Sequence, residues 1–295
     1  MTLFRLLTEG SRVLELAGSP DPKQDAQQLL LAAFHLDMVH FLMTRMTELE
    51  ESSKNQASIR LYRDMIGRRK KRCPLQHILG WQEFMGMEFM VNRHVLIPRQ
   101  DTETLVEKVL EHQEKEKKKG QALLDLCTGS GCIAVSLAAK GGFDRVTGTD
   151  ISEEALKVAR RNGEILLSEW KKTGMIEFFQ GDLFDALPKN GEKYDVITSN
   201  PPYIPTGVIQ TLEPEVRDFE PPAALDGDED GLYFYKKIGE RAADYLKPKG
   251  SLYLEIGYDQ KRAVCRILED QGYKEIQVYK DLPGHDRVIM ARQRD

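Results

Sequence analysis

Residues 122–139 read Ala122-Leu123-Leu124-Asp125-Leu126-Cys127-Thr128-Gly129-Ser130-Gly131-Cys132-Ile133-Ala134-Val135-Ser136-Leu137-Ala138-Ala139. The first five form an apolar run of strand length, the last seven favour a helix, and a glycine turn joins them. Without a Cβ, Gly129 and Gly131 let the backbone bend tightly and approach a ligand closely at a helix N-terminus. The next apolar run, Val146-Thr147-Gly148-Thr149-Asp150, ends on a carboxylate 19 residues after Gly131. At that spacing a second-strand acid meets ribose hydroxyls. Strands and helices alternate onward to about Gln271, which predicts a parallel, doubly wound α/β sheet. Glu275 to Tyr279 and Arg287 to Ala291, around Pro283-Gly284, read as a terminal hairpin.

The identity of the nucleoside is the harder question, because Gly129-x-Gly131-x-x-Ala134 also satisfies the relaxed dinucleotide fingerprint. A dinucleotide needs a second mononucleotide-binding half and a hydride-transfer site. The C-terminal half shows no such repeat and no His poised near an acid. S-adenosylmethionine asks for less: one ribose acid, a close glycine backbone and a holder for the methionine end. Asp150 suits the ribose. Asp125 and the backbone of Thr128, Gly129, Ser130 and Gly131 suit the methionine end. Asp182, in Phe178-Phe179-Gln180-Gly181-Asp182-Leu183-Phe184, closes a further strand where it can reach the adenine amino group, with Leu183 packing on the ring. Each carboxylate alone is as easily a solvated loop or a cap. Three at successive strand ends point to a shared nucleoside site.

The second motif is Asn200-Pro201-Pro202-Tyr203, directly after the apolar run Tyr194-Asp195-Val196-Ile197-Thr198-Ser199. Asn200 brings a side-chain carbonyl, and Pro201 and Pro202 lack an N–H, so this loop offers acceptors with few competing donors. Its natural guest is a flat NH2 group, with Tyr203 as an aromatic face to stack on it. Asn and Pro also end strands for purely conformational reasons. The glycine loop upstream, in the expected order, favours the chemical reading.

With both motifs in place the chain resembles the HemK/PrmC family, the protein-(glutamine-N5) methyltransferases of peptide chain release factors. The resemblance also rests on Pro74-Leu75-Gln76-His77-Ile78-Leu79-Gly80, Val95-Leu96-Ile97-Pro98-Arg99-Gln100-Asp101-Thr102-Glu103 and Glu220-Pro221-Pro222-Ala223-Ala224-Leu225-Asp226-Gly227. It runs from about Gly67 to the C-terminus. The Asn-Pro-Pro-Tyr element is shared with amino-group DNA methyltransferases, whereas the Pro-Arg-x-x-Thr-Glu and Pro-Leu-Gln-His-Ile-Leu-Gly elements are more specific. The departures are Cys127 where the family usually has Gly, Gln100 where it usually has Pro, and Asp228 near the place of a second Gly.

The resemblance implies a class I S-adenosylmethionine-dependent methyltransferase fold, Rossmann-like, with a mostly parallel seven-stranded sheet whose last strand is antiparallel. It implies methyl transfer to the glutamine of the Gly-Gly-Gln motif in class I release factors, with S-adenosylhomocysteine as product. Asn200 and the Pro201 carbonyl would accept the two amide N–H bonds and Tyr203 would pack on the amide plane. Cofactor contacts are expected from Thr128, Gly129, Ser130, Gly131, Asp150, Asp182, Leu183 and Asn200. The alternative is an amino-group (N6-adenine type) nucleic-acid methyltransferase, which should bring a basic groove or a target-recognition domain.

Composition bears on that alternative. The 295 residues suffice for about two domains, and 41% hydrophobic with 30% charged is the make-up of an ordinary soluble protein. A net charge of −5 argues against stable nucleic-acid binding. No run is long enough to span a bilayer, and the N-terminus enters an amphipathic pattern without a signal-like core, so a cytoplasmic enzyme is expected. Cys73, Cys127, Cys132 and Cys265 form no Cys-x-x-Cys pair and lack histidines at zinc spacing, which predicts reduced thiols and no metal site.

Residues 1–72 read as a helical substrate-recognition domain: Leu3 to Leu16, Gln24 to Phe34, Asp37 to Met46 and Ala57 to Arg72. Residues 73–100 read as a linker whose Trp81–Ile97 stretch holds a β-hairpin around Gly86 and Asn92, and residues 101–295 as the cofactor-binding domain, opened by a helix that Asp101 caps. Two charged runs remain. Glu114 to Lys119 is a solvated helix end, and Arg68-Arg69-Lys70-Lys71-Arg72 is either the same or a docking patch for an acidic partner.

Overall fold

The computed structural model describes residues 1–116, 120–168 and 174–293, so Lys117–Lys119 of the first charged run lie outside the described residues. The chain divides into two units: Met1–Gly80 with Glu213–Phe219, and Trp81–Leu212 with Glu220–Asp295.

The first unit holds α1 (Leu3–Leu16), α2 (Pro22–Phe34), α3 (Met38–Thr44), α4 (Ser53–Lys70) and α5 (Leu75–Leu79). Thr2, Asp37 and Ser52 cap three of these helices with side-chain oxygens. The Ser52 cap starts α4 four residues before the expected Ala57. Leu6, Leu14, Leu29, Leu30, Phe41 and Tyr62 fill the core. Residues 73–80, expected as the start of a linker, group with these helices because Leu75 and Ile78 of α5 join that core.

The basic run at the end of α4 is split by burial. Arg69 is 5% exposed and donates to Asp25 Oδ2 (2.7 Å) and Glu215 Oε1 (2.9 Å). Arg72 donates to both carboxylate oxygens of Glu215, each at 2.6 Å. Only Arg68, Lys70 and Lys71 of the run stay exposed. Residues 213–219, which belong to this unit, thus bring the acid that two of its five cations face.

The second unit opens on the antiparallel hairpin β1 (Trp81–Phe84) and β2 (Met87–Met90). Its turn residues Met85 and Gly86 both have positive φ, 52° and 73°, the backbone that suits a right-twisted two-residue hairpin. There follow α6 (Gln100–Glu116), β3 (Ala122–Leu126), α7 (Cys132–Lys140), β4 (Arg145–Asp150), α8 (Glu153–Leu166), β5 (Met175–Gln180) and β6 (Tyr194–Ser199). After a one-turn helix at Thr206–Ile209 come α9 (Tyr233–Tyr245), β7 (Leu246–Glu255), α10 (Lys261–Asp270), β8 (Lys274–Lys280) and β9 (Asp286–Arg292). Asp101 does not cap α6; it lies inside the first turn and pairs with Arg287 at 3.2 Å.

The sheet order is β5-β4-β3-β6-β7-β9-β8. Neighbours from β5 to β7 are parallel, and β9 runs antiparallel to both β7 and β8. This is the class I S-adenosylmethionine-dependent methyltransferase sheet, with seven strands and the expected antiparallel last strand. All of β3 is buried, with Leu124 and Leu126 in one core layer and Leu123 in the other. Strand order reverses at β3, between β4 on one side and β6 on the other, and open α/β sheets hold ligands outside the carboxyl ends at such a point.

Candidate active site

Three strand ends meet there. β3 runs into Cys127-Thr128-Gly129-Ser130-Gly131, where Cys127, Gly129 and Gly131 all have positive φ (57°, 55° and 79°). β4 delivers Asp150 and β6 delivers Asn200. A cavity of about 440 Å³ opens over them, lined by Thr128, Gly129, Ser130, Asp150, Asp182, Leu183, Asn200 and Pro202 among others. Of the expected site residues, Gly131, Pro201 and Tyr203 are not in its lining.

The Asp150 carboxylate is wedged between backbone donors, with Oδ2 accepting from Gly129 N and Oδ1 from Ser152 N, each at 2.9 Å. Burial nevertheless pushes its pKa up. It therefore both braces the glycine loop and faces the cavity. Asp182 Oδ2 accepts from Lys237 Nζ at 2.9 Å, and that ammonium also sits 4.7 Å over the Tyr233 ring, so Tyr233 and Asp182 share one cation at the cavity wall. Leu183 follows at 6% exposure, its side chain against the core and the cavity.

Two buried hydroxyls of the lining, Ser130 Oγ and Thr149 Oγ1, lack a hydrogen-bond partner. Buried polar atoms are ordinarily satisfied, so a polar ligand is the simplest completion. Together with a ribose-height acid and an apolar shelf at Leu183, these hydroxyls fit a nucleoside-containing cofactor such as S-adenosylmethionine.

Asp125 does not reach this cavity. It is fully buried behind the loop, where it accepts from the Thr128 hydroxyl (2.6 Å) and the Thr198 hydroxyl (2.8 Å). Burial pushes its pKa up to about 7, against the opposing effect of those two donors. Its place is to hold Thr128, so the expectation that it touches the methionine end fails for lack of access. Cys127 does line the cavity, and burial keeps its thiol far above the ordinary range and so neutral.

Asn200 Nδ2 donates to Thr102 Oγ1 at 3.3 Å. Tyr203 turns the other way. Its ring packs on the core, its hydroxyl lies 3.5 Å from Glu255 Oε1, and Gln260 Nε2 holds its carbonyl at 3.0 Å. Tyr203 thus anchors the loop through its hydroxyl, ring and carbonyl, and its ring is not part of the cavity lining where stacking was expected.

Comparison with known proteins now completes the picture. Residues 5–80 match the PrmC N-terminal domain family, and residues 117–282 match a methyltransferase domain family. The chain is 40% identical to the release factor glutamine methyltransferase of Clostridium acetobutylicum, over 91% of this chain and 90% of that one. It is 39% identical to the Geobacter sulfurreducens protein of the same name, over 99% and 96%. The chain belongs to the release factor glutamine methyltransferase family. A solved methyltransferase from Pyrococcus furiosus shares the fold, with a TM-score of 0.51 and 20% identity over 71% of this chain and 90% of that one.

The structure gives the remaining motifs a place that sequence reasoning left open. Glu220, 3% exposed, accepts from Ile97 N (3.3 Å) and pairs with Arg99 (2.7 Å). It thereby joins Pro98-Arg99 to Pro221–Ala224, two stretches that line the cavity. Thr102, Glu255 and Gln260 were also missed. Thr102 lies within the Val95–Glu103 stretch with no local sign of its tie to Asn200, and nothing local marks Glu255 or Gln260, whose parts depend on β7 and the turn after it lying beside the Asn200–Tyr203 loop.

Proposed function

We propose that this chain transfers the methyl group of S-adenosylmethionine to the side-chain amide nitrogen of the Gly-Gly-Gln glutamine in peptide chain release factors, in the cytoplasm. The observation that carries the reading is Asn200. Its nitrogen end is tied to Thr102 and its carbonyl end is left for the cavity that Asp150 and Asp182 share.

S-adenosylmethionine supplies an electrophilic methyl on a sulfonium, which becomes a thioether. The residues of the chain bind and orient. Asp150 takes the ribose hydroxyls, Asp182 the adenine amino group and Leu183 the ring, while the Thr128–Gly131 loop takes the methionine end. An amide nitrogen is a weak nucleophile because its lone pair is delocalised. Asn200 Oδ1 and the Pro201 carbonyl accept its two N–H bonds, hold it in line and stabilise the positive charge that develops on it. The methylated nitrogen then releases one proton to water, so no side-chain base is required. Tyr203 acts from behind, fixing the loop.

The test is transfer of labelled methyl to a purified release factor, beside a copy whose Gly-Gly-Gln glutamine is alanine, and beside duplex and single-stranded DNA. Label on the intact factor alone is the expected result. Label on DNA, or on both factors equally, would sink the proposal.

A further inference from the structure

We infer that Gln260 is a positioning residue for methyl transfer: its side-chain amide ties the Asn200–Tyr203 loop to the Asp226–Gly231 loop and so fixes where the Asn200 and Pro201 acceptors stand. This deepens the proposed function and rests on its reading of those two oxygens as acceptors of the substrate amide.

Gln260 is 8% exposed and lies just ahead of α10, yet its side chain makes no cap bond to that helix. It reaches back to the two loops instead. Nε2 donates to Tyr203 O (3.0 Å) and Gly231 O (3.2 Å), and Oε1 accepts from Gly257 N (2.9 Å). These partners are backbone groups, which cannot exchange roles: a carbonyl only accepts and an N–H only donates. The nitrogen end must therefore face the two loops and the oxygen end the turn after β7. Both protons of Nε2 are then in use, one on each loop. The Tyr235 hydroxyl, 3.3 Å from Oε1 and 2.9 Å from Glu255 O, backs the amide from α9. Glycines make the room, since a Cβ on Gly231 would come within 2.7 Å of Nε2 and one on Gly257 within 2.9 Å of Oε1.

A shift at Tyr203 O is felt at Asn200. Between them stand Pro201 and Pro202, whose rings fix φ, so the stretch has few torsions in which to absorb a displacement. Its other end is set by Ser199, buried at the end of β6 with its hydroxyl on Leu126 O at 2.9 Å. The loop is thus a short stiff span held at both ends, and Gln260 holds the far one. Through Gly231 the same amide holds the loop that brings Asp226 and Asp228 to the cavity lining, so the two walls keep a fixed spacing. The Thr128–Gly131 loop, Asp150 and Asp182 follow β3, β4 and β5, on the other side of β6 from Gln260. Cofactor contacts are therefore largely independent of it.

The test is steady-state methyl transfer to a purified release factor by Gln260→Met, Gln260→Glu and Asn200→Ala, each assayed well below its melting temperature. Met keeps the length of Gln and removes all of its bonds; Glu keeps the shape and can hold at most one of the two carbonyls. Gln260→Met should lower kcat about tenfold, as a shift of roughly half an ångström in the acceptors would, and Gln260→Glu several-fold. The KM for release factor and the dissociation constant for S-adenosylmethionine should stay within about threefold. That split separates positioning from a general loosening of the fold, which would take cofactor affinity down with the rate. If Gln260→Met turns over like the parent, or if kcat and cofactor affinity fall together, while Asn200→Ala is slow, the inference falls and the proposed function stands. A fast Asn200→Ala would overturn both. Should Gln260→Met fail to fold, Gln260→Glu takes its place, and a parental kcat there would refute the inference.

Discussion

Gly227 is the position where one added methyl group should reach the chemistry without touching it. A Cβ built there would lie 2.8 Å from Tyr203 Cα, 2.9 Å from Tyr203 C and 2.9 Å from Gly231 Cα, where ordinary contact begins at 3.4 Å. All three atoms are backbone, so no side chain can swing away. The neighbours are also pinned. Ile204 N donates to Leu225 O (3.0 Å), Gly227 N donates to Ile204 O (2.9 Å), and Gln260 Nε2 grips both Tyr203 O (3.0 Å) and Gly231 O (3.2 Å). Gly227→Ala must therefore push the Asn200–Tyr203 loop by roughly half an ångström or strain its own backbone. Overpacking of this kind costs about 1–3 kcal/mol of stability. Since misplacement by about 1 Å can cost a hundredfold in rate, about a tenfold loss of kcat follows for half that distance. The assay is steady-state methyl transfer to a release factor, with S-adenosylmethionine affinity measured by calorimetry and expected to hold within about threefold. A Gly227→Ala protein with parental kcat and melting temperature would refute the claim that this glycine exists to let the two loops touch.

Three further outcomes follow from the geometry. Asp150→Ala should weaken S-adenosylmethionine binding by roughly tenfold to a hundredfold, the loss of charged hydrogen bonds to ribose, and calorimetry showing undiminished affinity would move the ribose elsewhere. Glu215→Ala removes the carboxylate that Arg69 and Arg72 share and should cost the first unit about 3 kcal/mol, read as an earlier denaturant midpoint. Burial pushes the Glu215 carboxyl up, but the hydrogen bonds from Arg72 and Arg69 outweigh it and the net shift is down. Its contribution is therefore present above the ordinary Glu range and is lost as pH falls through the lowered value, so parent and variant should converge in acid. Asp125 has the opposite sign. Its folded pKa is raised from 3.8 to about 7, so the stability linked to it is complete below pH 4 and declines as pH rises through 7, by roughly 1.4 kcal/mol per pH unit between those values. Asp125→Asn should gain on the parent between pH 5 and pH 8 in thermal melts, and a constant difference would mean that Asp125 is already ionised throughout.

The parts legible in the sequence were those whose chemistry is local. A glycine turn between an apolar run and a helix defines its own backbone, and the carboxylate at the end of the next strand is placed by strand length alone. Both appear in the structure as read, with Asp150 gripping Gly129 N. The hairpin ending in β9 was legible for the same reason, because Pro283-Gly284 interrupts two alternating runs. Depth was not legible. Asp125 and Asp150 both close or nearly close a strand, yet one side chain goes behind the glycine loop and the other faces the cavity. The pleat does not separate them, since Asp125 pairs with Gly148 and so shares a face with Asp150; the difference is depth, with Asp125 one residue inside the end of β3, where Thr128 and Thr198 engage it.

The setting of Tyr203 was not legible for a related reason. An aromatic after two prolines has a face for stacking, but where the face goes depends on partners 50 residues away and more. Glu255 and Gln260 sit at the end of β7 and just beyond it, and they become neighbours of the loop only because β7 pairs in parallel with β6. Their hold on Tyr203, the pressure of Gly227 from the other side and the tie of Asn200 to Thr102 have one consequence in common. The loop that presents Asn200 has backbone or side-chain partners on each flank before any substrate arrives, so its acceptors are pre-oriented and little ordering remains to be done at binding. For a nucleophile as weak as an amide nitrogen, whose activation comes from orientation and not from a base, that rigidity is the catalytic resource, and it is held largely by residues that never meet the substrate.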